Sequence, residues 1–532
     1  MRSAVAFFVL SAAAIVAAWA WLGTPVPMPP SPYAAGDMLP CVSYAPFRGS
    51  QNPWMPESVT AAQIDEDLGR LKAVTNCVRT YSIDHGLDLI PEVAKRHGMT
   101  VMQGLWLSSR PDLSREQIEG AVALAKRFPD VITAIVVGNE VLLRGEMSAG
   151  QLSGVIREVK GRVGAIPVTY ADVWEFWLRN RDLANQVDFI TIHILPYWED
   201  FPIPVSSAAA HLDAIRKQVG EAFPGRDILI GETGWPSAGR MREGARPSPA
   251  DQARFLHEVL ALAKRQNYRI NVIEAFDQPW KRQLEGTVGG HWGLFDDANR
   301  AAKFRWGEAV SNHPLWRWQA GGGVLLAGVI FAAAFGAMRK ALTRPTPSAW
   351  GGVGAVAAIS GTLAGWAVVN VPLESLFVGS WIRSLSWAGL AILCPVVGAA
   401  ALVSGRQAAS FADIVARRWR SDPLAFAFGA LFMLVAVLAM HAALGLVFDP
   451  RYRDFPFAAL TAALVPFVAV RMLAPRGAGD RPVAETAAAG MLGLCALYIL
   501  FNESVANWQS VWFCAGLVVL TACLWRVRAA RG

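Results

Sequence analysis

The sequence predicts an α/β protein in which a closed (β/α)₈ barrel is followed by an α-helical polytopic membrane domain. Two observations predict this. Between residues 39 and 315, short apolar strand patterns alternate eight times with helical patterns, which is the order that builds a parallel barrel. From residue 316 to 532, long apolar stretches are separated by short connectors. Each stretch is long enough, or nearly so, to cross the roughly 30 Å hydrocarbon layer of a bilayer.

The N-terminal segment, residues 1–23, begins with Met1-Arg2 and continues as an apolar stretch. This pattern is typical of a signal peptide or of an uncleaved membrane anchor. The small residues of Ala18-Trp19-Ala20 offer a cleavage site, but the apolar run continues beyond it, which favours the anchor. Both interpretations place the following domain outside the cytoplasm. Residues 24–38 are rich in proline and lack periodicity, which indicates a linker.

Eight candidate strands lie in the barrel region, and their near-continuous apolar runs are typical of a parallel sheet. They are Cys41–Phe47, Cys77–Tyr81, Thr100–Leu105, Val131–Val137, Ile166–Ala171, Val187–His193, Asp227–Gly231 and Ile270–Phe276. The helical segments between them include Ala61–Ala73, Arg115–Arg127, Ala149–Arg162, Val205–Val219 and Pro249–Arg265. Three helix-start signals stand out, namely Ser114 followed by Gln117, Ser148 followed by Gln151, and Ser248 before Pro249.

The C-terminal region contains seven candidate membrane spans. They lie near 319–338, 349–371, 385–405, 424–448, 455–472, 484–501 and 508–525. Alternate connectors, together with the C-terminal tail, carry 13 Lys and Arg residues, whereas the connectors on the other side carry 3. Basic connectors face the cytoplasm. The pattern therefore predicts a cytoplasmic C-terminus and a barrel outside the membrane, in agreement with the N-terminal segment.

The formal net charge of +7 is concentrated in the membrane region. From residue 316 onward there are 17 Lys and Arg against 8 Asp and Glu. The charge is therefore explained by membrane-side connectors, and the sequence predicts no nucleic-acid partner.

The six cysteines form no CxxC motif and no Cys/His metal spacing. Four of them fall in apolar spans, where small buried side chains are expected. Cys41 and Cys77 fall on neighbouring predicted strands, so a disulfide is one alternative, although unpaired thiols are favoured.

Two glutamates mark the chemistry of the barrel. Glu140 follows the fourth strand directly after Asn139, and Glu232 follows the seventh strand within the run GETGWPS at 231–237. Active sites of (β/α)₈ barrels lie at the carboxyl ends of the strands, so the two side chains are expected to face each other. Two carboxylates about 5 Å apart are what retaining glycoside chemistry requires. The acid of such a pair is expected to have a raised pKa, so that it holds its proton near neutral pH.

Other strand ends carry the polar and aromatic residues of a sugar cleft, in which aromatic faces cover the apolar face of a sugar and polar groups bind its hydroxyls. The candidates are Tyr44, Arg79, Tyr81, Asn139, Asp172, Trp174, His193, Tyr197, Trp198, Trp235, Asp277, Gln278, Trp280, Lys281 and Glu285. Asn139 is placed to bind the sugar 2-hydroxyl, an interaction that can strengthen in the transition state. Neither HExxH nor GxSxG occurs. The sequence therefore predicts no metal and no cofactor.

The motifs resemble those of glycoside hydrolase family 17, the β-1,3-glucanases and glucanosyltransferases. The resemblance covers roughly residues 39–310. Its motifs are VRTYS at 78–82, VGNE at 137–140, TYADVW at 169–174, VDFITIHILPYW at 187–198, GETGWPS at 231–237, EAFDQPWK at 274–281 and HWGLFD at 291–296. The resemblance implies a retaining (β/α)₈ enzyme with Glu140 as acid/base and Glu232 as nucleophile. Gln278 departs from many plant members, which have Glu there, and this puts plant-type substrate contacts on that side in doubt.

A barrel followed by about seven spans resembles the membrane-bound bacterial branch of the family, which includes NdvC-type proteins of cyclic β-1,3/1,6-glucan formation. The resemblance implies a transglycosylase in the inner membrane that remodels periplasmic β-glucan and creates β-1,6 links or branches. Its partners would be a β-1,3-glucan donor and acceptor, the lipid bilayer and a membrane glucan synthase. Two alternatives stay open: a β-1,3-glucan hydrolase with the same catalytic residues, and a non-catalytic glucan-binding or export partner of a synthase.

Overall fold

The computed structural model describes residues 2–34, 36–55, 58–339, 341, 345–417, 422–473 and 481–528. Six basic residues of the charge pattern above lie outside these ranges: Lys340, Arg344, Arg418, Arg420, Arg476 and Arg531. The chain divides into two compact units. One consists of Pro27–Ala238 and Gly244–Val310, and the other of the described parts of Met1–Val26, Gly239–Glu243 and Ser311–Gly532. The first helix, α1 (Arg2–Leu22), belongs to the second unit.

The first unit is built on a closed, all-parallel barrel, as the sequence predicts. Across the described residues its strands run in the order β1 to β8, and β8 pairs with β1. They are β1 (Cys41–Ser43), β2 (Cys77–Arg79), β3 (Thr100–Leu105), β4 (Ile132–Asn139), β5 (Val168–Val173), β6 (Ile190–His193), β7 (Ile228–Thr233) and β8 (Arg269–Val272). The first and last strands end earlier than predicted. Phe47 and Phe276 are buried in the core beyond those ends, and an apolar run reports burial rather than strand pairing.

Eight helices surround or follow the strands in the described part of this unit. They are α2 (Ala61–Leu71), α3 (Ile90–His97), α4 (Pro111–Arg127), α5 (Ala149–Arg162), α6 (Trp174–Arg179), α7 (Val205–Ala222), α8 (Pro249–Gln266) and α9 (Arg282–Glu285). Two of the predicted start signals are confirmed. Ser148 and Gln151 form a capping box at α5, and the Ser248 hydroxyl accepts the N–H of Asp251 at α8.

The predicted start signal at Ser114 is wrong. Helix α4 begins at Pro111, because proline suits the first turn of a helix, and Ser114 therefore lies inside the helix. The Ser114 hydroxyl bonds to the backbone of Ser108, and the side-chain oxygen of Gln117 accepts the N–H of Trp106. Both side chains hold the loop after β3 instead of capping the helix.

Cys41 and Cys77 form a disulfide, which corrects the expectation of unpaired thiols. Val42 of β1 pairs with Val78 of β2, so the preceding residues lie side by side with their Cα atoms 4.6 Å apart. This register depends on how the strands pair and cannot be read from the spacing of the two cysteines. The other four cysteines are free and buried, as expected.

The second unit is helical with an apolar interior. After α1 it contains α10 (Trp316–Met338), α11 (Pro347–Glu374), α12 (Val378–Ser404), α13 (Phe411–Val415), α14 (Pro423–Phe448), α15 (Phe457–Leu473), α16 (Val483–Glu503) and α17 (Trp508–Trp525). Each predicted span corresponds to one of these helices. Of the helices in the described ranges, seven are long and apolar enough to cross a membrane, and α15 is shorter.

Candidate active site

Glu140 and Glu232 lie together at the carboxyl ends of β4 and β7. Glu232 is paired in register with His193 of β6, and Glu140 directly follows Asn139, the last residue of β4. The backbone of Glu140 has a positive φ of 55°, and its N–H donates to the carbonyl of Ala171 at 2.8 Å. One oxygen of each glutamate and a ring nitrogen of His193 all lie within 4.8 Å of one another. The two carboxylates therefore face a common space.

Two donors hold the same oxygen of Glu232. The Tyr81 hydroxyl donates to Oε1 at 2.8 Å, and Nη1 of Arg79 approaches that atom at 3.3 Å. Burial, with the nearby charge of Glu232, raises the pKa of Tyr81 well above its usual value, so the phenol stays protonated and remains a donor. Arg79 also donates to the carbonyl of Gly231 and to Oδ1 of Asn139, both at 2.6 Å. Both donors act on the same oxygen of the carboxylate, Oε1.

Glu140 contacts His193, whose Nδ1 lies 2.8 Å from Oε1 of Glu140. Burial acts to raise the pKa of Glu140. The hydrogen bond and electrostatic interaction with His193, together with the positive charges of Arg144 and Arg79, outweigh it, so the pKa lies below its usual value. The sequence predicted a raised pKa for this carboxyl group, and that prediction is wrong for the free enzyme. The contact with His193, which forms only on folding, lowers the pKa instead.

Asp172 supports the loop that follows Glu140. It is fully buried, accepts a hydrogen bond from the Tyr170 hydroxyl, and accepts the N–H groups of Val173 and Leu143 at 2.8 and 3.4 Å. Burial is the main reason that the pKa of Asp172 is raised to about 6. Its carboxylate is therefore engaged within the protein, and the sugar contact at Asp172 stays a prediction.

A second cluster of charges follows β8. Lys281 donates to Oε2 of Glu274 at 2.8 Å, and burial, opposed by Lys281, raises the pKa of Glu274 to about 7. The negative charge of Glu232 is among those that raise the pKa of Lys281, against the effect of burial. Glu274 lies within the EAFDQPWK motif, but the sequence pattern indicated no role for it; a carboxylate at the end of an apolar strand pattern was the available signal.

Two other predicted substrate-binding residues after β8, Asp277 and Gln278, form hydrogen bonds within the protein. Asp277 accepts Nζ of Lys303 at 2.5 Å and the N–H of Gly293 at 2.9 Å. Gln278 is fully buried, donates to the carbonyl of Ala45 and accepts the indole N–H of Trp280. Gln278 therefore positions an aromatic ring, while Glu285 is half-buried nearby in α9.

The predicted aromatic contacts divide into two groups. Tyr44, Tyr197 and Trp235 are fully buried in the core, and their contact with sugar stays a prediction. The Tyr44 hydroxyl donates to Asp67, and the Trp235 indole donates to the carbonyl of Arg246. The rings left partly accessible are those of Tyr81, Trp174, Trp198 and Trp280.

Sequence reasoning missed two exposed tryptophans on the loops of the barrel. Trp54 is 53% exposed, and its ring meets that of Trp280 edge to face at 5.3 Å between centroids. Trp106 is 38% exposed and lies under the guanidinium of Arg144 at 4.1 Å. Their signal was position, since Trp54 lies in the loop after the first strand and Trp106 directly follows the third. Large apolar rings left in solvent are suited to stack on a sugar.

The cluster of Glu140, His193 and Glu232 has the ligand types of a cation site. The guanidinium of Arg79 lies 3.3 Å from Glu232 and 3.4 Å from Nε2 of His193. It already places a positive charge between these ligands. The residues therefore fit a hydrogen-bonded pair of carboxylates better than a metal centre.

These features define a class of protein, a (β/α)₈ barrel with two adjacent glutamates at its mouth, which is the arrangement of many glycoside hydrolases. The family model of the BtgE/BtgC glycoside hydrolase domain matches residues 41–293. Glucan 1,3-beta-glucosidase of Arthroderma benhamiae is 30% identical over 262 residues, which covers 46% of this chain and 83% of that protein. Glucan 1,3-beta-glucosidase of Saccharomyces cerevisiae is 26% identical over 261 residues, with 45% and 83% covered.

The structure of a glycoside hydrolase family 17 β-1,3-glucanosyltransferase from Rhizomucor miehei is also similar, with 28% identity, 49% of this chain and 94% of that chain covered, and a TM-score of 0.43. On the sequence matches, the chain belongs to the BtgE/BtgC glycoside hydrolases of family 17, the β-1,3-glucanases and glucanosyltransferases. It is therefore an enzyme of this kind, and the matched residues 41–293 include the barrel strands.

Proposed function

We propose that the chain is a membrane-anchored, retaining β-glucan transglycosylase that acts on β-1,3-glucan in the periplasm. In this proposal residues 39–315 form the catalytic domain, residues 316–532 form the membrane domain, residues 1–23 form an anchor and residues 24–38 form a linker. The glucan is cut, and the glycosyl group is passed to a hydroxyl of another glucan chain, which creates branches or β-1,6 links. The observation that carries the proposal is the close approach of Glu140 and Glu232.

The short distance between the carboxylates of Glu140 and Glu232 supports a retaining mechanism. Oxygens of the two carboxylates come within 4.8 Å, whereas inverting enzymes hold their carboxyl groups roughly 6.5–9.5 Å apart to admit a water. In the proposed reaction Oε2 of Glu232 attacks the anomeric carbon, while Glu140 protonates the departing glycosidic oxygen. Glu140 then removes a proton from the acceptor hydroxyl, which displaces Glu232 from the glycosyl ester.

Exposed aromatic rings favour transfer over hydrolysis. Water and a sugar compete for the glycosyl ester, and a sugar wins where the site binds it. Trp54 and Trp106 leave large ring areas free on the barrel loops, and burying such area against a sugar stabilises the acceptor complex. A β-1,3-glucan hydrolase is the second candidate, because the same carboxylates would serve it.

Two observations support a location outside the cytoplasm. The basic residues of the connectors alternate in the positive-inside pattern, which favours a cytoplasmic C-terminus. The disulfide between Cys41 and Cys77 suits an oxidising compartment such as the bacterial periplasm. Such a location would bring the barrel to glucan emerging from a membrane synthase, which is the proposed partner. A purely glucan-binding role is the third candidate.

The proposal is tested with full-length protein in detergent and a defined β-1,3-gluco-oligosaccharide. Masses and linkages of the products are followed, and Glu232→Gln serves as the control. We expect products longer than the substrate, and none from the variant. Shorter products alone would identify a hydrolase. Glucan production in cells that is unchanged by Glu232→Gln would support the binding role instead.

A further inference from the structure

His193 is the contact that joins the two carboxylates. Its side chain is fully buried at the end of β6. Nδ1 lies 2.8 Å from Oε1 of Glu140, while Nε2 lies 3.6 Å from Oε1 of Glu232 and 3.4 Å from Nη1 of Arg79. A ring enclosed in this way has no face left for a sugar, although sequence reasoning assigned it to substrate binding.

The neighbours of His193 determine which nitrogen carries its proton when the ring is neutral. Arg79 has only donors and is always charged, so a proton on Nε2 would point at a cation. An ionised Glu140 has only acceptors, so a proton on Nδ1 points at a carboxylate. The favoured tautomer therefore donates from Nδ1 to Oε1 of Glu140.

We propose that His193 is the positioning residue of the acid/base: its Nδ1–H holds Oε1 of Glu140 and leaves Oε2 as the oxygen that exchanges the proton with substrate. The inference rests on the proposed function. In the first step Oε2 gives its proton to the departing oxygen, and the new carboxylate keeps the hydrogen bond from His193. In the second step Oε2 takes a proton from the acceptor hydroxyl. His193 gains and loses no proton in either step.

The same contact sets the pH range of the acid. Glu140 faces Arg79 from β2, Arg144 from the loop after β4, Asp172 from β5 and Glu232 from β7, in addition to His193. His193 is one of the groups that lower the pKa of Glu140. Removing it is expected to raise that pKa. Because the acid must be protonated to react, the alkaline limb of the rate profile then moves to higher pH.

Three substitutions separate the two nitrogens. His193→Asn keeps an amide N–H near the place of Nδ1, His193→Gln keeps one near the place of Nε2, and His193→Ala keeps neither. His97→Asn is the matched control, because it alters another histidine–carboxylate pair. His97 of α3 lies 3.1 Å from Asp65 of α2. Melting temperatures of all variants are recorded in detergent.

Each variant is assayed with two donors: a β-1,3-gluco-oligosaccharide, and the same glycosyl group carrying fluoride, which departs without protonation. With the first donor we expect kcat/KM to fall about 10²-fold in His193→Gln and His193→Ala, since general acid catalysis contributes roughly 10²–10⁴-fold. With the fluoride it should fall less than about threefold. His193→Asn should keep most of the kcat/KM that the Gln variant loses with the first donor. The alkaline limb should shift upward in the Gln and Ala variants.

Equal losses with both donors, an Asn variant as poor as the Gln variant, or no loss at all would overturn the inference. If His193→Ala does not fold, the Asn and Gln variants alone decide, since each carries the same amide group and they place it near different ring nitrogens. Wild-type protein inactive on both donors would instead count against the proposed function. If wild-type protein is active but the His193 variants lose kcat/KM equally with both donors, only the role of His193 is contradicted.

Discussion

Arg79 and Glu232 form a buried ion pair, with Nη1 and Oε1 3.3 Å apart and side chains that are 0% and 6% exposed. The other amino group of Arg79 donates to Asn139, the residue before Glu140. One planar guanidinium therefore ties β7, which carries Glu232, to β4, which ends at Asn139 just before Glu140. A planar fork can make both contacts at once, whereas an ammonium group is a single point charge.

This relationship predicts that Arg79→Lys keeps the charge but loses activity. The lysine cannot bond Asn139 and Glu232 together, so we expect kcat/KM to fall by about 10²-fold or more, because small misplacements of catalytic groups have effects of that size. Rates on a β-1,3-gluco-oligosaccharide check this. Arg70→Lys, at an exposed pair with Glu66, is the control and should be neutral. An active Arg79→Lys would show that the tie between the strands is not needed.

Tyr81→Phe tests the second donor to Glu232. Because a carboxylate only accepts, the phenol must donate to it at 2.8 Å, and the Ser43 hydroxyl, 2.8 Å away, must in turn donate to Tyr81. A hydrogen bond to a charged group contributes roughly 1.5–3 kcal/mol, so kcat is expected to fall about 10- to 100-fold. Ser43→Ala removes only the hydrogen bond between Ser43 and Tyr81, so kcat should fall less than in Tyr81→Phe. Equal effects of the two substitutions would contradict this order.

The order of elements could be predicted from the sequence, but most contacts in the site could not. Apolar periodicity reports burial, and burial in alternating segments specifies the barrel and the helices of the second unit. Position at a strand end placed Tyr197 and Trp235 near the mouth correctly. It could not show that Trp292 and Phe255, distant in sequence, pack against their rings. The lowered pKa of Glu140 was missed for the same reason, since it depends on a contact made only by folding.

Asp172 predicts a pH dependence of stability. Its pKa is about 6 when folded and 3.8 in the reference state, so between these values the folded protein binds more protons than the unfolded one. Stability contributed by this group is therefore lost as pH rises from about 4 to about 6, by about 3 kcal/mol. We expect Asp172→Asn to be free of this loss.

Melting temperatures in detergent at several pH values between 4 and 7 measure the effect. The difference between Asp172→Asn and wild type should grow in favour of the variant as pH rises. Glu274 titrates in both proteins and cancels in the difference. Asp182→Asn, at an exposed carboxylate, is the control. A constant difference across this range would contradict the raised pKa.

The disulfide predicts a loss of stability on removal of its two cysteines. The bond joins residues 36 positions apart, and closing a loop of that length contributes about 4 kcal/mol in the chain-entropy model. Cys41→Ala/Cys77→Ala should melt roughly 10 °C lower. A reductant should lower the melting temperature of wild type but not that of the double variant. Cys514→Ala, at a free cysteine, is the control; a drop in melting temperature caused by reductant in the double variant would contradict the assignment.

Under the proposed function, the exposed ring of Trp54 should influence the ratio of transfer to hydrolysis. Its exposed ring is held edge to face against Trp280, which packs in turn against Phe47. Removing the ring removes apolar area that would cover an acceptor, whereas water needs no such area. Trp54→Ala should therefore lower the ratio of transferred to hydrolysed product several-fold, at similar rates of donor cleavage, since roughly 1–2 kcal/mol of stacking would be lost.

Trp306→Ala is the matched control, because that ring already contacts Tyr33, His257 and Phe304. It should lower the melting temperature and leave the ratio unchanged. Equal ratios in wild type and Trp54→Ala would mean that the acceptor binds elsewhere, with Trp106 the next ring to remove.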